Sequence, residues 1–447
     1  MTNIVSTAEF FIDERRLIRR VDWRLLPILG VLYSICLIDR VNLGIATRLD
    51  IGARYTIVTA VFFVPELPGN IIVRKVGASN WLAFCAVSWG IAQLAMGFVP
   101  SWQYLALCRA LLGAFEAGFF PAMVYIVTTW YKRHEVQKRL GGFYLLATFI
   151  SAFSPIFGYL FTLVGGTHRL SGWRYIFIIE GAITIGCGLI GWTFIPDFPD
   201  ATRTTFLNEA EVAFILQRIE DDRGDAIPDA VTLRKVFHHL CDWTVWAYGM
   251  CTTMAALSIG YFSTLILQGM GWSVTTSLLL VRLPFIASNT SMIWLFSWLS
   301  DKYQQRAIFI ALGAVVTAIG TCFTAFLSNN TVRYLGIFLT CGGANAIIPG
   351  VLAYASNNVV SQSKRAVTTA TTIMFGGIGG IFSAVVFRQQ DAPSYRPGSI
   401  ATLTCQLSLL ALLALTTGHF RRRNAETRRG NLSSRSLEEK PGFMYTL

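Results

Sequence analysis

Arg109-Ala-Leu-Leu-Gly-Ala-Phe-Glu-Ala-Gly-Phe-Phe-Pro121 decides how this chain reads. It lies inside 104–129, a segment otherwise apolar enough to cross a bilayer, yet it carries an arginine and a glutamate. An ion at the centre of a membrane helix costs about 2.5–3.5 kcal/mol on insertion scales. Such a cost calls for a partner charge, a water-filled path or a bound solute. Arg109 and Glu116 therefore mark a polar route through an apolar protein.

The composition agrees. Of 447 residues, 53% are hydrophobic and 14% charged, against about 25% charged in soluble domains. The net charge of +12 does not point to nucleic acid, because the basic residues sit in short clusters between apolar segments. None of the nine cysteines forms a C-x-x-C pair, and most read as small core residues. The histidines fall in loops, tails or the central linker, so neither a metal site nor any cofactor is expected. The polar start of the chain reads as a tail rather than a cleaved leader.

A spanning helix needs about 20 mostly apolar residues. Twelve candidates follow: 25–46, 55–73, 81–98, 104–129, 140–164, 173–195, 243–267, 278–299, 307–327, 332–354, 366–387 and 400–418. With a cytoplasmic N-terminus, the inner segments outside the long central loop carry 22 Lys and Arg and the outer loops 6. That bias puts both termini in the cytoplasm. The expected organisation is an all-α membrane protein: a tail (1–24), a six-helix bundle (25–195), a cytoplasmic linker (196–242), a second six-helix bundle (243–418) and a basic tail (419–447). In the linker, Asn208-Glu-Ala-Glu211 reads as an N-cap with its reciprocal acid. Val212, Ile215, Leu216 and Ile219 follow on one face. This predicts a short amphipathic helix on the cytoplasmic surface. The inner turns at 297–306 and 70–77 echo each other, which predicts a parallel repeat with a binding site where the halves meet.

Here the chain resembles a major facilitator superfamily transporter, and within it the fungal anion:cation symporters of allantoate permease type. The resemblance rests on Ile38-Asp-Arg-Val-Asn-Leu-Gly44, on 109–121, and on Trp130-Tyr-Lys-Arg-His-Glu-Val-Gln-Lys-Arg139. Gly172-Trp-Arg-Tyr-Ile-Phe-Ile-Ile-Glu-Gly181, Pro196-Asp-Phe-Pro199 and Ser300-Asp301-Lys302 complete it. It implies the two-bundle major facilitator fold and proton-coupled movement of a small organic anion, usually a carboxylate, by a monomer in the plasma membrane. Two departures stand out. The stretch before Glu66-Leu-Pro-Gly-Asn70 is about a helical turn short, and the first inner turn lacks the superfamily's acid.

Several ions are candidates for the work. Arg40 and Arg109 offer planar forks that match a carboxylate, although ion pairing within the protein explains Arg40 equally well and Arg109 better. Glu116 and Asp39 are candidates for the coupled proton, since burial makes protonation accessible. Glu66, Glu180 and Arg282 read as structural. Asn345 and Pro349, beside Gly342 and Gly343, are expected to interrupt helix ten, with Asn345 a substrate contact. Asp301, Lys302 and Arg306 form the inner-loop motif that governs conformation. Gly376 and Gly380 have the spacing of a tight helix contact. Asn329-Asn330-Thr331 is a glycosylation sequon on an outer loop.

No nucleotide-binding sequence points to a primary pump, and no His, Asp and Ser constellation points to an enzyme. Three readings remain: a proton symporter of an organic anion, an exporter of a small acidic metabolite, and a nutrient receptor that has lost transport.

Overall fold

Long apolar segments in lipid can satisfy backbone N–H and C=O groups only by closing them within helices or a closed barrel, and this chain chooses helices. The computed structural model describes residues 13–46, 72–73, 75–154, 157, 172–199, 206–223, 232–257, 266–267, 269–272, 277, 280, 284–387, 391, 395–429 and 443–447. Among them the helices are α1 (Glu14–Ala46), α2 (Ala78–Met96), α3 (Trp102–Ala117), α4 (Phe119–Trp130), α5 (Val136–Ser151), α6 (Gly172–Phe194), α7 (Glu209–Arg223) and α8 (Leu233–Leu240). Then follow α9 (Trp243–Ala256), α10 (Thr290–Tyr303), α11 (Arg306–Phe326), α12 (Asn330–Asn357), α13 (Gln362–Val386) and α14 (Arg396–Arg428). No strand occurs among the described residues. Six helical segments are long and apolar enough to cross a membrane: Glu14–Asp39, Gln103–Trp130, Arg174–Phe194, Arg306–Phe326, Asn330–Asn357 and Arg396–Arg428. Their outward faces expose large apolar side chains such as Ile190, Trp192, Leu407 and Leu415, as a lipid solvent requires.

Within the first half α1 packs on α5 and α6, and α2 on α3 and α6. Within the second, α9 packs on α13, and α11 on α12 and α14. The halves meet where α5 lies against α10 and α12, and α4 against α13. Two glycines set these spacings. A Cβ on Gly181 of α6 would stand 2.5 Å from the Leu94 backbone nitrogen of α2. One on Gly141 of α5 would collide with the Ser297 hydroxyl of α10, across the interface between halves.

Several expectations change. The span at 104–129 is jointed, with α3 and α4 meeting at Gly118. Pro121 has no N–H to return to the Ala117 carbonyl, and the Gly118 carbonyl accepts from Trp81 Nε1 at 3.2 Å. Helix ten is not interrupted: α12 runs from Asn330 to Asn357 through Pro349. Pro349 removes one backbone bond only, and Gly343 packs close to Thr317 and Gly350 close to Ile310 on either side of it. The eighth predicted span enters through a π turn, Pro284–Asn289. On α13, Gly376 and Gly379 pack against Thr252 and Thr253 of α9, whereas Gly380 faces open space. Most of the second predicted span, with Glu66, and Arg282 lie outside the described residues.

The linker helix α7 forms as expected, with the Asn208 N–H donating to Glu211 Oε2 at 3.0 Å. It does not simply lie on a surface. Ile215 and Ile219 enter the main core, and Arg218 is ion-paired to Glu14 at 2.6 Å and to Glu135. Farther along, Asp242 caps α9 through the Thr244 N–H at 3.0 Å and meets Lys364 of α13 at 2.7 Å. Phe443–Leu447 form a strap. Thr446 exchanges two backbone bonds with the Asn358 side chain, and Tyr445 does the same with Asn424. Tyr445 stacks on Phe420 at 4.3 Å, Arg133 lies 5.0 Å from the Phe443 ring centroid, and the Arg306 N–H donates to Leu447 O at 2.6 Å.

Candidate functional site

Three helices of the first half bring a buried polar cluster together. Asp39 comes from α1, Gln93 from α2 and Glu180 from α6, all under a tenth exposed. The Gln93 amide nitrogen donates to Asp39 Oδ1 at 2.6 Å and to Glu180 Oε2 at 3.0 Å. From α3 come Arg109 and Glu116, also buried. Glu116 accepts from Cys36 Sγ, one turn before Asp39, at 2.8 Å. Arg109 sits 5.4 Å from the centroid of the Phe177 ring and in the field of Asp39, Glu116 and Glu180. Its Nε and Nη2 are buried and have no hydrogen-bond partner. Asp39 Oδ2 and Gln93 Oε1 are orphaned in the same way.

Buried guanidinium donors are normally satisfied, because leaving a charged group unpaired is costly. A cluster with open donors on Arg109 and open acceptors on Asp39 and Gln93 can therefore take up an anion and a proton. Arg40 belongs to α1, but its side chain lies outside the described residues. The sequence assigned Glu180 a structural part; the structure places it in the cluster. Gln93 had no signal in the sequence, because a lone glutamine in an apolar span has no spacing to betray it.

Asn345 lies elsewhere, at the seam between halves. Its Oδ1 accepts from Tyr144 Oη of α5 at 3.3 Å, and its Nδ2 reaches Asn289 Oδ1 at 3.4 Å. No described contact joins it to Arg109. Tyr33 of α1 packs beside Tyr144, with its ring centroid 5.9 Å from that of Tyr144 and 4.4 Å from that of Phe120.

The inner-loop motif also bridges the halves. Asp301 Oδ2 accepts from the Lys138 N–H at 2.7 Å, so a second-half carboxylate caps the first turn of α5. Arg306 is fully buried and ion-paired with Asp301. It also donates to Gln137 Oε1 at 2.8 Å and to the Arg133 carbonyl at 3.0 Å. Lys302 stays exposed, 4.8 Å from the Trp298 ring. The acid missing from the first inner turn has a stand-in: Asp197, from Pro196-Asp-Phe-Pro199, accepts from the Ala78 N–H at 2.9 Å and caps α2. Asn329 uses its Oδ1 to cap α12 through the Thr331 N–H at 2.9 Å.

Comparison with known proteins follows the same line. The Major Facilitator Superfamily family model matches residues 25–384. The MFS transporter prlL of a fungal species (strain NRRL 50135) is 29% identical, over 86% of this chain and 81% of its own length. The Schizosaccharomyces pombe transporter C1039.04 is 30% identical over 88% and 81%. Emericella nidulans hxnP, a major facilitator-type transporter, is 29% identical over 90% and 84%. Among solved structures, the transporter FucP in its outward conformation aligns with TM-score 0.64 at 10% identity, covering 88% of this chain and 98% of that one. The human organic anion transporter MFSD10 aligns with TM-score 0.60 at 11% identity, covering 88% and 99%. At such identities the likeness is one of fold.

Proposed function

The chain belongs to the major facilitator superfamily and is a membrane transporter, and from that premise we propose that it moves a small carboxylate-type anion by proton symport with alternating access. One observation carries the reading: Arg109 is buried, yet two of its nitrogens are without acceptors. A substrate carboxylate satisfies them, in a site where charge-assisted bonds are strong.

Coupling follows from competition. Asp39, Glu116 and Glu180 act on the same guanidinium. While they are ionised, their field repels an incoming anion. Protonating Asp39 or Glu116 removes one negative charge and leaves Arg109 to the substrate. Proton and anion thus favour each other's binding, which is the thermodynamic content of symport. Arg40, adjacent to Asp39, is assigned to the same anion, and Asn345 with Tyr144 contributes polar contacts from the seam. The two bundles are 25–195 and 243–418, joined by the linker 196–242. Their seam is clasped at the end bearing 300–306, which we assign to the cytoplasm together with both termini. The protein acts as a monomer in the plasma membrane, in the manner of the allantoate permease relatives.

The test is uptake into proteoliposomes of a panel of carboxylates and ureides, with and without an inward proton gradient. Symport predicts that one class accumulates only with the gradient. Accumulation indifferent to the gradient rejects coupling, and efflux in preference to uptake turns the assignment toward an exporter.

A further inference from the structure

Gln93 is an unusual clamp. It is completely buried, and its one amide nitrogen serves carboxyl groups from two different helices. Both carboxyl groups therefore stand within hydrogen-bond reach of a single atom, out of water. Two like charges so placed cannot both be ionised without a large penalty, and such pairs settle by sharing a proton. The charge balance around them points the same way. The described groups facing the pair are Glu116 and Arg109 on α3, with the Phe177 ring of α6 5.4 Å from Arg109. Even with Arg40 counted as a neighbour in the chain, Asp39, Glu116 and Glu180 outnumber Arg40 and Arg109. The orphaned acceptors, Asp39 Oδ2 and Gln93 Oε1, are two seats that lack a hydrogen.

We propose that Asp39 and Glu180, tied by Gln93, hold one proton between them, so that Glu180 is a proton-binding residue and Gln93 a positioning residue. The hydrogen binds to a carboxylate oxygen of one partner, and the other partner remains the anion that accepts from Gln93. Glu180, on the helix packed against α1 and α2, retains the pair's negative charge when Asp39 is protonated. The part this plays in coupling rests on the symport reading; the shared proton itself does not.

Infrared difference spectroscopy of the purified full-length protein in lipid tests it without a substrate. The wild type should show a protonated-carboxyl stretch, shifted in heavy water, that persists at neutral pH. Glu180→Gln removes the like charge beside Asp39. The remaining carboxyl no longer has a like charge to share its proton with and should be ionised at neutral pH, so its band is lost there. Asp39→Asn should act in the same way on Glu180. Gln93→Met keeps both acids and should shift the band frequency without abolishing it. A band unchanged by Glu180→Gln, or absent from the wild type at neutral pH, overturns the proposal. Because Glu180→Gln is close to isosteric, an unchanged melting curve in detergent separates titration from misfolding. In proteoliposomes, Glu180→Gln should lose gradient-driven accumulation and keep substrate exchange. If wild-type uptake ignores the gradient while the band behaves as stated, symport fails and the pair stands.

Discussion

Asp301 Oδ2 accepts from the Lys138 N–H at 2.7 Å, so that the last turn of α10 caps a helix of the opposite half. The same carboxylate neutralises Arg306, which has no exposed side-chain surface. Breaking a buried pair from one side costs about 3–5 kcal/mol, because the surviving charge is left uncompensated. Asp301→Ala should therefore lower the thermal midpoint in detergent steeply. Asp301→Ala combined with Arg306→Met should recover part of the loss. Additive losses in the double variant would show that the pair is not the cause.

The open nitrogens of Arg109 give the most direct functional prediction. Hydrogen bonds to a charged group are worth about 1.5–3 kcal/mol, which is tenfold or more in affinity. Arg109→Gln should weaken carboxylate uptake at least tenfold and should also lower the thermal midpoint, because Asp39, Glu116 and Glu180 lose the cation they share. Arg109→Lys should fall between, having the charge without the fork. Equal uptake by all three forms would remove Arg109 from the site.

Packing at the α2–α6 contact should be sensitive to a single methyl group. Gly181→Ala puts its Cβ 2.5 Å from the Leu94 backbone nitrogen, where no side chain can rotate away. Overpacking of this kind costs about 1–3 kcal/mol. The expected result is a lower midpoint and, because Glu180 is the preceding residue, a disturbed proton site. Gly142→Ala, on a face with nothing within 4 Å, is the control that should leave both unchanged.

Asp242 predicts an acid limb in the stability profile. Burial pushes its carboxyl up, but Lys364 and the Thr244 N–H and hydroxyl together hold it below the usual carboxylate range. Its folded-state value is lowered, so its stabilising contribution is complete above the ordinary value of about 3.9 and is lost as pH falls through the lowered value. Asp242→Asn should reduce the midpoint at neutral pH and converge with wild type in strong acid. Midpoints measured across pH for both forms check this, and curves that stay parallel into acid would refute it.

The helical class was legible because apolar runs of spanning length admit few alternatives, and 109–121 told where the ions lie. What escaped the sequence depends on partners distant in the chain. Gln93 is one polar residue in an apolar span, and only the approach of α1 and α6 gives it two carboxyl groups. Asp197 sat in a quoted segment with no part assigned, because its acceptor role needs the start of α2. The Gly118 joint was hidden in a stretch whose hydropathy is uniform, although Pro121 signals it in hindsight. Hydropathy also ended the last span near 418, while α14 continues to Arg428; a helix needs no lipid once its polar turns reach water. Asn345 meets Tyr144 and Asn289, partners no spacing announces, and Pro349 failed to break its helix.

The strap at Phe443–Leu447 grips Asn358 and Asn424 and reaches toward the first half through the contact of Phe443 with Arg133. Any movement that draws Arg133 away from the second half has to part it from Phe443. A binder that captures the strap should therefore loosen this lacing while leaving the buried ions untouched.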